Sequence, residues 1–142
     1  MRRRMSVSVF AALLLAACMP VVAPIVDDGP EGPQLAIQVT NGADHGVAIG
    51  YSFEAFQSSG GGEGSVGACE QATIPFGSVG GSFTILVDGE SLFEHAVAAG
   101  TPADAWMVVR VTIGSDGEAE VTGTNLAARM PDPVTRPIPN CG

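Results

Sequence analysis

The chain has 142 residues, 46% of them hydrophobic and 6% aromatic, with 15 acidic residues against 6 basic ones and a formal net charge of −9. That length suits one domain with a sizeable core. The charge, carried on a chain without lysine, excludes recognition of nucleic acid or anionic headgroups through a basic patch.

Arg2-Arg3-Arg4 comes first, and an apolar run of 11 residues, Met5 to Leu15, follows. A helix of that length spans about 16 Å, roughly half a bilayer core, and is too short for a permanent span. A basic segment, a short apolar run and small residues are the layout of an export signal. The residues that end it, Leu15-Ala16-Ala17-Cys18, resemble the lipobox of bacterial lipoproteins. The resemblance covers residues 1–18. It implies that the Cys18 thiol carries a diacylglycerol, that cleavage makes Cys18 the first residue, and that the protein is anchored to a membrane on its extracytoplasmic side. Two or more acyl chains give stable anchoring where one does not. Without the lipobox, the same segment reads as an ordinary signal cut after Ala17 or Ala23.

Removal of residues 1–17 leaves Arg110, Arg129 and Arg136 against all fifteen acids, a side-chain charge of −12. Such a surface is well solvated and suits a cationic partner or divalent cations. Lipid on Cys18 also leaves Cys69 and Cys141 as an even pair in an oxidising compartment, where a disulfide between them is expected. Two unpaired thiols are the alternative. Residues 18–34, with Pro20, Pro24, Pro30 and Pro33, read as a tether reaching roughly 50 Å at about 3.1 Å per residue.

From Leu35 the pattern alternates, as in a half-buried strand. Leu35, Ile37 and Val39 share one face, Asn41-Gly42-Ala43-Asp44 is a turn cluster, and Val47, Ile49, Tyr51 and Phe53 alternate next. Ser58 to Gly64 is a Gly/Ser run that predicts no element. Val66 to Cys69 and Gln71 to Phe76 read as one or two short strands, and Gly77 to Gly81 as a second flexible connection. Phe83, Ile85 and Val87 lead into Asp88-Gly89, the signature of a type I′ hairpin, with Ser91 to Val97 as the return strand. Trp106 to Ile113 is the longest strand, Ser115-Asp116-Gly117 turns the chain, and Ala119 and Val121 face inward on the next strand. Four prolines between residues 131 and 139 bar the tail from a central strand, so residues 125–142 read as an extended strap.

Chemistry finds little footing. There is no Gly-x-Ser-x-Gly elbow. His45 follows Asp44 in a turn, and His95 follows Glu94 on a strand, where neighbours face opposite ways. With Cys18 in lipid and Cys69 and Cys141 paired, no thiol is free for catalysis. Asp27-Asp28-Gly29-Pro30-Glu31, Asp88-Gly89-Glu90 and Asp116-Gly117-Glu118 are oxygen-rich but lack the EF-hand spacing, and Asp-Gly is what a tight turn requires. Copper through His45, His95, Met107 or Met130 would need soft ligands to converge.

The expected fold is all-β: an antiparallel β-sandwich or small barrel of seven or eight short strands, after a signal helix and an extended linker. The divisions are a signal peptide at 1–17, lipidated Cys18 and tether at 18–34, the β domain at 35–124 and the strap at 125–142. Ile37-Gln38-Val39-Thr40-Asn41-Gly42 and the Val/Ile/Tyr strand after it resemble the first hairpin of immunoglobulin-like modules in bacterial envelope proteins. Trp106 lies between Cys69 and Cys141, but Cys141 sits in the strap instead of a central strand, unlike a true immunoglobulin domain. The expected function is non-enzymatic: a membrane-anchored module of the cell envelope that binds an envelope protein or polymer, without catalytic residue, cofactor or metal. The alternatives are a small periplasmic inhibitor of a cationic enzyme and a carrier of an apolar ligand.

Overall fold

A computed structural model describes residues 32–55 and 58–141. The signal segment, Cys18 and residues 19–31 of the expected tether lie outside the described residues. Nine strands follow in chain order: β1 (Gln34–Asn41), β2 (Val47–Ala55), β3 (Ser58–Val66), β4 (Glu70–Ser78), β5 (Ser82–Val87), β6 (Glu90–Ala96), β7 (Trp106–Ile113), β8 (Ala119–Ala127) and β9 (Thr135–Pro137). They form a five-stranded sheet in the order β8-β7-β1-β4-β9 and a four-stranded sheet in the order β3-β2-β5-β6. The two sheets face each other as a sandwich and do not close into a barrel. No described residue is helical.

Alternation sets the core. Leu35, Ile37 and Val39 from β1 meet Met107, Val109, Val111 and Ile113 from β7 and Ile49, Phe83 and Ile85 from the other sheet, all buried. Burying each such side chain contributes about 1.5–3 kcal/mol. β1 and β7 pair in parallel, residue for residue from Gln34↔Trp106 to Asn41↔Ile113. Every other pairing is antiparallel. The parallel pair departs from the expected all-antiparallel arrangement. Local alternation reports which face of a strand is buried, not which distant strand lies beside it.

Ser58 to Gly64 corrects the expectation of a shapeless run: it belongs to β3, paired with β2 along its whole length. Gly60, Gly62 and Gly64 take inward positions, opposite Phe53, Tyr51 and Ile49. A Cβ on Gly60 would meet the Phe53 ring at 2.8 Å, and one on Gly62 would meet Tyr51 at 3.0 Å and Phe76 at 3.3 Å. The rings of β2 and β4 fill the space that β3 leaves, so aromatic cover replaces the missing side chains. Gly67 to Cys69 is likewise a turn instead of a strand, with Cys69 at φ 52°, and β4 extends through Gly77 and Ser78. The Asp88-Gly89 hairpin has φ of 50° and 81°, as a type I′ turn requires.

Beyond β8, which runs to Ala127, the chain must cross from one edge of the five-stranded sheet to the other to form β9. It crosses the outer face: Asp132, Val134 and Arg136 share a hollow with the outward-facing Gln38, Gln71 and Thr73. Ala36 and Val108, which face outward on β1 and β7, are buried as well. The tail is fastened by β9 against Glu70–Ala72, by Ile138 N–H to the Cys69 carbonyl at 2.9 Å and by the Cys69–Cys141 disulfide, with a Cα–Cα distance of 5.6 Å. A cross-link over such a loop contributes about 4 kcal/mol in the chain-entropy description.

Asn41 takes the fourth inward position on β1, where the pattern calls for another aliphatic residue, and is fully buried. Its Nδ2 donates to the His45 and Gly67 carbonyls, both at 2.9 Å, and its Oδ1 accepts from Ala43 N–H at 3.0 Å. One side chain thereby joins the β1–β2 turn to the β3–β4 turn. Asn41→Ala leaves all three backbone groups without that partner and is expected to cost about 3 kcal/mol. A urea titration would show a lower midpoint at constant m-value; a variant as stable as the parent would remove Asn41 from this role.

Candidate functional site: the acidic loop end

Strand direction sorts the turns into two ends. The β1–β2, β3–β4, β5–β6 and β7–β8 turns all lie at the end where β1 finishes, as does Cys141. At the opposite end, Val79 N–H bonds the Pro33 carbonyl at 2.9 Å and Gln34 N–H bonds that of Ala105 at 3.0 Å. The chain therefore enters β1 at the end remote from the four turns.

Seven of the twelve acids among the described residues gather at the turn end: Asp44, Glu70, Asp88, Glu90, Asp116, Glu118 and Glu120. Three of them serve the backbone. Glu70 Oε2 accepts from Gly67 N–H at 2.9 Å, Asp88 Oδ1 from Ala48 N–H at 2.9 Å and Asp116 Oδ1 from Glu118 N–H at 3.0 Å. Asp-Gly in these turns thus fulfils the turn chemistry expected from the sequence. Glu90, Glu118 and Glu120 are exposed.

Between the β5–β6 and β7–β8 turns lies an open cleft of about 530 Å³. Val87, Leu92 and Ala119 give it an apolar floor, and Asp88, Glu90 and Glu118 an acidic rim. A smaller hollow of about 280 Å³, with Asp116 and Glu120, adjoins it and shares Glu118 and Ala119. The floor exists because the pairing of β5 with β6 shifts between Ile85 and Leu86. The bulge turns both Leu92 and Phe93 onto the core. A cleft of this size and lining can take a long cationic side chain, its stem on the floor and its head at the rim.

The histidines are separated. His45 stands at the acidic end with Nδ1 3.0 Å from Asp44 Oδ1. His95 lies on β6, directly opposite Phe83 and stacked with Phe93, while Glu94 pairs opposite Thr84 and is exposed. Among the described residues no three His, Cys, Asp or Glu side chains converge as a metal site, and Cys69 and Cys141 are spent in the disulfide. The acidic turns are visible in the sequence one at a time. Their convergence on one end follows from counting strand reversals, a signal that turn chemistry alone does not carry.

The Asp44 carboxyl is held below its ordinary value of 3.8, first by the hydrogen bond from the His45 ring and then by its charge. Because the folded value is the lower one, the pair stabilises the fold above the unfolded pKa, and this is lost as pH falls through the folded value. Asp44 is fully exposed, so the contribution is small. In an NMR titration Asp44 should titrate below 3.8 and return to the ordinary carboxylate range in His45→Ala; an unchanged midpoint in that variant would exclude the pairing. No protein-family model, curated protein or solved structure matches the chain.

Proposed function

We propose that this protein is a lipid-anchored, non-enzymatic binding module of the cell envelope that presents its acidic loop end to a cationic partner. The observation that carries the reading is polarity: seven of the twelve described acids gather at the end opposite the one where the chain enters β1. β1 alone spans about 26 Å at roughly 3.3 Å per residue. With lipid on Cys18, the acidic turns would lie at the end of the domain remote from the point where the anchored chain joins β1. The lipobox-like Leu15-Ala16-Ala17-Cys18 and the disulfide expected of an oxidising compartment support the same address.

A second reading, inhibition of a cationic enzyme, draws on the cleft itself: an apolar floor under an acidic rim suits an inserted arginine or lysine. A carrier of apolar ligands is less well supported, because the three hollows described are open and edged by charged side chains.

Mass spectrometry of the mature protein should find an acylated Cys18 at the N-terminus; a free N-terminus elsewhere would overturn the anchor. Partners captured from envelope extract should be basic and should elute with added salt, since exposed charges are screened over about 8–10 Å. Replacing Glu90, Glu118 and Glu120 together by glutamine should slow association about tenfold. An unchanged rate would move the binding surface elsewhere.

A further inference from the structure

Two sheets have four edges, and three of them are blunted. The pairing of β7 with edge strand β8 is broken by a shift between Arg110 and Val111. That of β5 with edge strand β6 is broken between Ile85 and Leu86. β9 is three residues long, contains Pro137, and is followed by Pro139 and the disulfide at Cys141. Bulges, prolines and short strands are the devices that keep an edge from recruiting another chain. β3 has none of them. Its register with β2 is unbroken from Ser58 to Val66, and it contains no proline, lysine or arginine. Among the described residues no strand pairs with its outer side, so that side offers a row of free N–H and C=O groups.

The same flank is short of apolar cover. With glycine at positions 60, 62 and 64, the rings of Phe53, Tyr51 and Phe76 and the Ile74 side chain reach across β3 from neighbouring strands. Phe53, Ile74 and Phe76 remain partly exposed beside the exposed Gly60 and Gly62. One more strand would supply the missing inward side chains. The charges select its chemistry. Glu54 and Glu63 are exposed on the outer face at this edge, and β2 to β5 contain no basic residue. A second copy of this chain would bring an edge whose one charged residue is again Glu63, with no basic residue to pair it, whereas a basic strand would neutralise it.

We infer that the β3 edge accepts an extended, cationic segment of a partner protein by strand addition, its apolar residues inward on Phe53 and Phe76 and its basic residues outward near Glu63. Main-chain bonds supply affinity and the alternating side chains supply choice. This surface is separate from the acidic loop end and does not depend on it.

The test is amide hydrogen exchange on the intact protein with a synthetic nine-residue peptide of alternating valine and lysine, against one of alternating valine and glutamate. The lysine peptide should slow exchange within Ser59–Val66 about tenfold, and Glu63→Lys, an exposed site, should weaken its binding about fivefold with unchanged circular dichroism. The triple glutamine variant at Glu90, Glu118 and Glu120 should leave this binding intact. Protection confined to the acidic turns, binding indifferent to Glu63→Lys, or no binding at about 1 mM peptide would overturn the inference. Protection of the same amides by self-association without peptide would do so too, in favour of a second copy.

Discussion

A single buried amide organises the turn end of the molecule. Asn41 stands where β1 leaves the core, and its three hydrogen bonds reach the turn it begins and the turn that follows β3. Those two turns also hold each other, the end of β7 and the tail. Cys69 donates its N–H to the Ala43 carbonyl at 3.1 Å, and Gly42 N–H bonds the carbonyl of Ile113, the last residue of β7, at 2.7 Å. The disulfide then draws the tail onto the same platform. An aliphatic residue at position 41 would suit the strand pattern and the core, yet it would leave the two turns with no shared anchor. A satisfied polar group in an apolar surround is costly to break and specifies one arrangement.

The sequence revealed strands better than it revealed neighbours. β1, β2, β5 and β7 were legible because their inward residues are large and apolar, so burial writes itself as alternation. The Asp88-Gly89 turn was legible because only residues tolerant of positive φ fit there. β3 was hidden because three of its inward residues are glycines: apart from Val66, the apolar groups that cover it belong to Tyr51, Phe53, Ile74 and Phe76 on other strands. The parallel partnership of β1 with β7 was hidden for the same physical reason, since pairing is a property of two segments and alternation of one. The Cys69–Cys141 bond could be read from parity of cysteines, whereas the crossing of the tail over Gln38 and Thr73 could not.

Of the acidic site, the ingredients were legible and the assembly was not. Asp88-Gly89-Glu90 and Asp116-Gly117-Glu118 read as turns, which they are. Their meeting around a cleft depends on both hairpins turning at one end and on the bulge that brings Leu92 to its floor. The carboxylates divide accordingly: Asp88, Asp116 and Glu70 hold the backbone of the turns, and Glu90, Glu118 and Glu120 are left to face the solvent.

The pairing of β1 with β7 also sets the order in which the fold can be assembled. β1 is the central strand of its sheet, and its partner begins 72 residues later, at Trp106 opposite Gln34. A folding chain can close the β5–β6 and β7–β8 hairpins locally, but β1 has only β4 beside it until residue 113 has arrived. Such non-local pairing makes for slow collapse, because loop closure precedes the contacts that reward it. The larger sheet is therefore completed late, whatever local hairpins have already closed, because β1 acquires its second neighbour only with β7.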